Sequence, residues 1–121
     1  MKHKHIELLK EFASLERPTF CFQVVLLLNL CERGYAPSEI SSFEYNGNAY
    51  FEGKSIREQL GGITVRSNLH KANYALLESG FVERLVTDQE GNVILHDSYS
   101  KKFSTLYWRL TDKARVLLAL S

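Results

Sequence analysis

Arg66, Ser67, Asn68, His70, Lys71 and Tyr74 crowd one short run of the chain. These are side-chain types that grip nucleic acid. Arg, Lys and Asn hydrogen-bond base edges or phosphates, and Ser and Tyr hydroxyls bind phosphate oxygens. The same run carries Val65, Leu69, Ala72 and Leu76 at spacings of four, three and four, the period of an amphipathic helix. Ser67, His70, Lys71 and Tyr74 then lie opposite the apolar stripe, with Arg66 and Asn68 flanking them. Periodicity places these residues without naming a partner, because polar side chains face solvent on any amphipathic helix. A second group of cations, Arg84, Lys101, Lys102 and Arg109, is opposed by Asp88, Glu90 and Asp97. Its Asp88–Asn92 turn is acidic and its Ser98–Lys102 turn basic, so Lys101 and Lys102 are the expected phosphate contacts. An exposed charged loop fits those two lysines equally well.

Other chemistries find little support. His3 and His5 are two apart near a terminus, His70 and His96 are isolated, and no Cys or His pair has structural zinc spacing. No glycine loop follows the Walker or dinucleotide pattern, and Gly61-Gly62 fits a turn. The Asp and Glu residues form no paired motif, so neither a catalytic constellation nor a cofactor or metal is expected. Cys21 and Cys31 lie in one apolar, helical stretch, where ten residues of helix span roughly 15 Å, beyond the reach of a disulfide. They read as reduced core cysteines.

With 121 residues, 45% hydrophobic and 24% charged, the chain suits one globular domain spanning residues 1–121. Fifteen basic and fourteen acidic side chains give a net charge of +1, which excludes a polybasic coat. A nucleic-acid surface must then come from local clustering. Met1-Lys2-His3-Lys4-His5 leads into an amphipathic pattern rather than a signal-peptide core. The apolar stretch Phe20–Cys31 is broken by Gln23 and Asn29 and falls short of the ~20 residues a membrane span needs. A cytoplasmic protein with no membrane partner is expected.

The elements that must position these residues follow from pattern and punctuation. Ile6, Leu8, Leu9, Phe12 and Leu15 predict a first helix over His5–Leu15. Pro18 opens a second helix, apolar on almost every face, that runs to Arg33 before Gly34 and must be covered on all sides, centrally or in a dimer contact. Asn46-Gly47 between Phe43, Tyr45 and Ala49, Tyr50, Phe51 signals a hairpin within an otherwise illegible insert, Tyr35–Gly53. Ser55, with Glu58 three residues on, predicts a capping box on a short helix to Leu60. Gly61-Gly62 then turns the chain into a helix from about Thr64 to Ser79, closed by Gly80. Phe81–Thr87, Val93–Leu95 and Ser104–Leu110 read as strands. Thr111 or Asp112 caps a last helix, Lys113–Leu120, with Val116, Leu117 and Leu120 on its buried side.

This order is α+β: a winged helix-turn-helix with flanking N- and C-terminal helices and a β-hairpin wing. The helix-turn-helix falls at about 55–80, the wing at 81–110 and the C-terminal helix at 111–120. Three stretches resemble the MarR-type transcription regulators: Ser55-Ile56-Arg57-Glu58-Gln59-Leu60-Gly61, Leu76-Leu77-Glu78-Ser79-Gly80-Phe81-Val82-Glu83-Arg84, and Arg109-Leu110-Thr111-Asp112-Lys113-Ala114. They lie in the half of the chain from Ser55 to the C-terminus and are more specific for winged helices in general than for this family. Ala114 stands where the family has glycine, and the insert before the motif is unusual.

The resemblance implies sequence-specific binding of double-stranded DNA by a dimeric, non-enzymatic regulator. The second helix of the motif would read the major groove while the wing touches the backbone, with Arg66, Ser67, Asn68, His70, Lys71, Tyr74, Arg84, Lys101 and Lys102 as contacts. Leu8, Leu9, Phe12, Leu117, Leu118 and Leu120 offer apolar surface for a homodimer. The neutral charge and the aromatic insert also fit a protein–protein adaptor with no direct DNA readout. A sensor that oxidises Cys21, or holds a small molecule in an apolar dimer cleft, is a third reading.

Overall fold

The computed structural model describes residues 6–35, 40–94 and 104–120. Its apolar centre is α2 (Pro18–Glu32), which buries Cys21, Val24, Val25, Leu27, Leu28 and Cys31. A helix with so little polar surface needs neighbours on several sides, and α2 has them within the chain. It packs against α1 (Ile6–Phe12), the later helices and the sheet. The first helix is shorter than its apolar spacing predicts. After Phe12 the chain turns, with the Leu15 N–H on the Phe12 carbonyl, and reaches Arg17 in the left-handed conformation (φ 56°, ψ 57°) just before Pro18. Leu8 and Phe12 are buried, and the Phe12 ring meets Phe81 edge-on at 5.1 Å. Their apolar surface is therefore used inside the protomer and is not available to a partner.

The segment read as an insert belongs to the sheet. β1 (Ser42–Tyr45) and β2 (Asn48–Glu52) form a hairpin whose two-residue loop, Asn46 (φ 51°) and Gly47 (φ 79°), has positive φ at both positions. That is the type I′ turn whose twist matches paired strands. β3 (Val82–Thr87), β4 (Val93–Ile94) and β5 (Thr105–Leu110) complete an antiparallel sheet in the order β1-β2-β5-β3-β4. Phe51 pairs with Trp108, and Val82 with Leu110. All four are buried on the face that meets the helices. The opposite face carries Phe43 against Tyr107, at 5.4 Å between rings.

α3 (Gly53–Leu60) starts directly from β2. Ser55 is therefore not its cap but a residue inside its first turn. The Ser55 hydroxyl donates to the Glu52 carboxylate at 2.5 Å and accepts the Ser41 N–H at 3.3 Å. Glu58 lies 3.8 Å from Arg57 rather than closing a capping box, because the strand leaves no free loop residue ahead of the helix. A 3-10 turn, Gly62–Val65, leads into α4 (Arg66–Glu78), which begins two residues later than the pattern predicts.

α5 (Asp112–Leu120) is capped by Thr111, whose Oγ1 accepts the Ala114 N–H at 3.3 Å. Its rotation differs from the expected one: Ala114 is buried and Leu117 and Leu118 pack on the core, while Val116 is 59% and Leu120 73% exposed. In this rotation Arg115 forks onto the Glu32 carboxylate at the end of α2 (Nη2–Oε1 2.8 Å, Nε–Oε2 3.1 Å). A bidentate pair of this kind fixes direction as well as distance. The result is an α+β molecule with five helices and a five-stranded antiparallel sheet among the described residues.

A candidate nucleic-acid interface on α4

α4 buries Leu69, Ala72 and Leu76 against α2 and the sheet. Successive residues turn by roughly 100°, so Ser67, Lys71 and Tyr74 must point away from that seam. All three are exposed, and His70 beside them is exposed too, its ring 6.4 Å from that of Tyr74. The structure thus brings these four sequence-predicted residues onto one outward stripe. Arg66 and Lys71 are both exposed cations.

The flanks differ. Arg66 is exposed on one side of the stripe, and Asn68, on the other, is half-buried. The Asn68 carboxamide oxygen accepts Nε–H of Arg17 at 2.8 Å. Asn68 is therefore committed to a neighbour within the chain. Arg17 is a residue that the helical pattern could not bring into consideration, because it lies 51 positions away in sequence.

The C-terminal end of α4 is fastened. At its C-terminus the Phe81 N–H bonds the Leu76 carbonyl at 2.9 Å and the Gly80 N–H bonds that of Leu77 at 3.2 Å. With Gly80 at φ 80°, this is a Schellman ending, in which a left-handed glycine lets the chain reverse onto its last carbonyls. Lys113 Nζ donates to the Ser79 carbonyl at 2.6 Å and sits 4.4 Å from the centre of the Phe81 ring. The Thr111 hydroxyl donates to the Gly80 carbonyl at 2.6 Å. At the other end, the Thr64 hydroxyl donates to the Gly61 carbonyl at 2.9 Å within the exposed turn. Ile63 in that turn is 68% exposed.

An open groove of about 460 Å³ runs between α4 and the corner joining α1 to α2. Lys71, Tyr74 and Glu78 line one side, and Ser14, Leu15 and Glu16 the other.

The remaining expected contacts fall elsewhere. Arg84 is half-buried inside β3, in register with Trp108, and so is not at the tip of the β3–β4 turn. Arg109 is engaged by Glu83 (3.2 Å) and Asn48 (3.0 Å) across three strands. Lys101 and Lys102 lie outside the described residues. The Asp88–Asn92 turn is organised by Asp88, whose Oδ1 accepts the N–H groups of Glu90 (3.0 Å) and Asn92 (2.8 Å). Those donors, Asn92 foremost, hold its carboxyl below the ordinary value.

Burial pushes the thiols of Cys21 and Cys31 up to about 11, with Glu32 adding to the effect at Cys31. Cys21 Sγ is 3.3 Å from the Glu16 carbonyl. Neither thiol is in an environment that generates a thiolate. Among the described residues no three His, Cys, Asp or Glu side chains gather in a metal-binding arrangement, and no helix is long and apolar enough to cross a membrane. Comparison of the chain with protein-family models, curated proteins and solved structures returned no match.

Proposed function

We propose that the chain is a winged-helix protein that binds double-stranded DNA sequence-specifically, as a homodimeric transcription regulator without catalytic activity. α3 and α4 are its helix-turn-helix, and β3, β4 and β5 build the wing. β2, ahead of α3, completes the sheet that such a wing extends. The observation that carries the reading is the outward stripe of α4. Ser67, His70, Lys71 and Tyr74, with Arg66 beside them, stand exposed on a helix whose opposite face is sealed on the core and whose C-terminal end is fastened. A rigid helix about 10–12 Å across, with its polar face uncovered, matches the width of the B-DNA major groove.

A salt-titrated binding assay on random and selected duplexes tests it. Selective binding that weakens steeply with salt is expected. Replacing Lys71 with alanine should narrow the gap between selected and random duplex by about 1–3 kcal/mol. No binding to either duplex at low salt would remove the reading. It would favour a protein-binding adaptor, for which the half-exposed aromatics Phe43, Tyr45 and Tyr50 on the β1–β2 hairpin speak. Phe51, counted among those aromatics from sequence, is in the core.

A further inference from the structure

We infer that Arg17 is a second arginine that grips the DNA backbone, placed for that contact by Asn68; the inference rests on the DNA-binding reading above. A left-handed backbone is unfavourable for a residue with a Cβ, and Arg17 adopts it at φ 56°. Nothing at the α1–α2 corner requires an arginine there on conformational grounds, since glycine would take the same turn without strain. What the arginine contributes is its head group. Nε–H is held by Asn68 Oδ1 at 2.8 Å. Among the described residues Nη1 reaches Glu16, at 4.0 Å, with the two side chains 40% and 56% exposed. A guanidinium has five N–H donors. Asn68 uses one of them and thereby orients the rest.

The position of that head group follows from the helix it leans on. A helix that fills the major groove turns its forward stripe to the base edges and its two flanks to the sugar–phosphate walls. Arg66 stands exposed on one flank of α4, and Arg17 is tethered to the other through Asn68. Next to that pair, an open groove lined by Glu16 and Lys71 runs toward the C-terminal part of α4. Two guanidinium groups therefore bracket the stripe, each facing one strand. Asn68 is a positioning residue in this arrangement, not a base contact.

The test uses the full chain and a random-sequence duplex of about thirty base pairs, because a phosphate contact is indifferent to sequence. Arg17→Gly removes the guanidinium while relieving the backbone, so its thermal midpoint should stay level or rise. Its affinity at low salt should nonetheless fall several-fold, and the slope of log K against log salt should shrink by about one. Asn68→Ala should lower affinity in the same direction but less. Combined with Arg17→Gly it should add nothing, as expected of two residues acting as one. A purely structural Arg17 would lower the midpoint in Arg17→Gly and leave the slope alone. Full affinity and an unchanged slope in Arg17→Gly would overturn the inference while leaving the DNA reading standing. Failure of the unmodified protein to bind any duplex at low salt would overturn both.

Discussion

Asn68 and Arg17 illustrate how a side chain's chemistry depends on what stands beside it. Asparagine on a polar helix face has the donors and acceptor for an adenine edge, yet here its oxygen is occupied by a guanidinium from another helix corner. The cysteines make the same point in the opposite sense. With both thiols raised to about 11, only about one molecule in a thousand carries a thiolate at pH 8. Labelling of the native protein by a thiol reagent should therefore be slow and should accelerate in step with unfolding in urea. Rapid labelling of Cys21 in the folded protein would revive a redox-sensing role.

Asp88 supplies a pH prediction. Its carboxyl is lowered in the folded turn by the N–H of Asn92, helped by that of Glu90. The native state thus prefers the ionised form. The stability it adds is complete above the unfolded-state carboxylate value, near 3.9, and is lost as pH falls through the lower, folded value. A carboxyl-carbon NMR titration should show Asp88 titrating below the other aspartates, and Asp88→Asn should abolish the acid-induced opening of the turn. Titration at the ordinary value would refute the hydrogen-bond assignment.

At the scale of elements, the fold is held by junctions as well as by core. Arg115 joins α5 to the last turn of α2 through two hydrogen bonds to Glu32, with a third to Asp112 at 2.9 Å. Lysine cannot reproduce that fork. Because the pair is still partly solvated, Arg115→Lys should cost only about 1 kcal/mol in chemical denaturation. A neutral result would mean that the packing of Ala114, Leu117 and Leu118 sets the rotation of α5 unaided. Gly47 is more local: an alanine there must keep φ near 79°, at about 1–2 kcal/mol. That loss should be measurable as faster hydrogen exchange across β1 and β2, with α4 unaffected.

For the whole molecule, the proposed dimer must use a surface the protomer leaves uncovered. Leu8 and Phe12 are excluded by burial, and what remains on α5 is Val116, Ala119 and Leu120. Pairing through α5 about a two-fold axis would have to set two copies of α4 about 34 Å apart to match half-sites one helical turn apart. Leu120→Glu combined with Val116→Glu should convert the dimer to monomer in light scattering while leaving the thermal midpoint within a few degrees. A monomer before mutation, at micromolar concentration with and without DNA, would remove this part of the proposal.

Local pattern was enough for the elements that obey one period or one turn rule. The stripe of Leu69, Ala72 and Leu76 determined α4 and its exposed side, Asn46-Gly47 determined the hairpin turn, and the uniform hydrophobicity of Phe20–Cys31 determined a helix that must be covered on all sides. Each of these is a property of neighbouring residues, so the chain carries it wherever it folds. Tertiary structure decided what depends on distant partners. Pairing of Phe51 with Trp108 made an illegible segment a strand of the main sheet. With Ala114, Leu117 and Leu118 on the core and Arg115 forked onto Glu32, Val116 and Leu120 face outward. The contact between Arg17 and Asn68 spans 51 positions, and no local period encodes it. Periodicity fixes which way a side chain points along its own helix; only packing fixes what it meets.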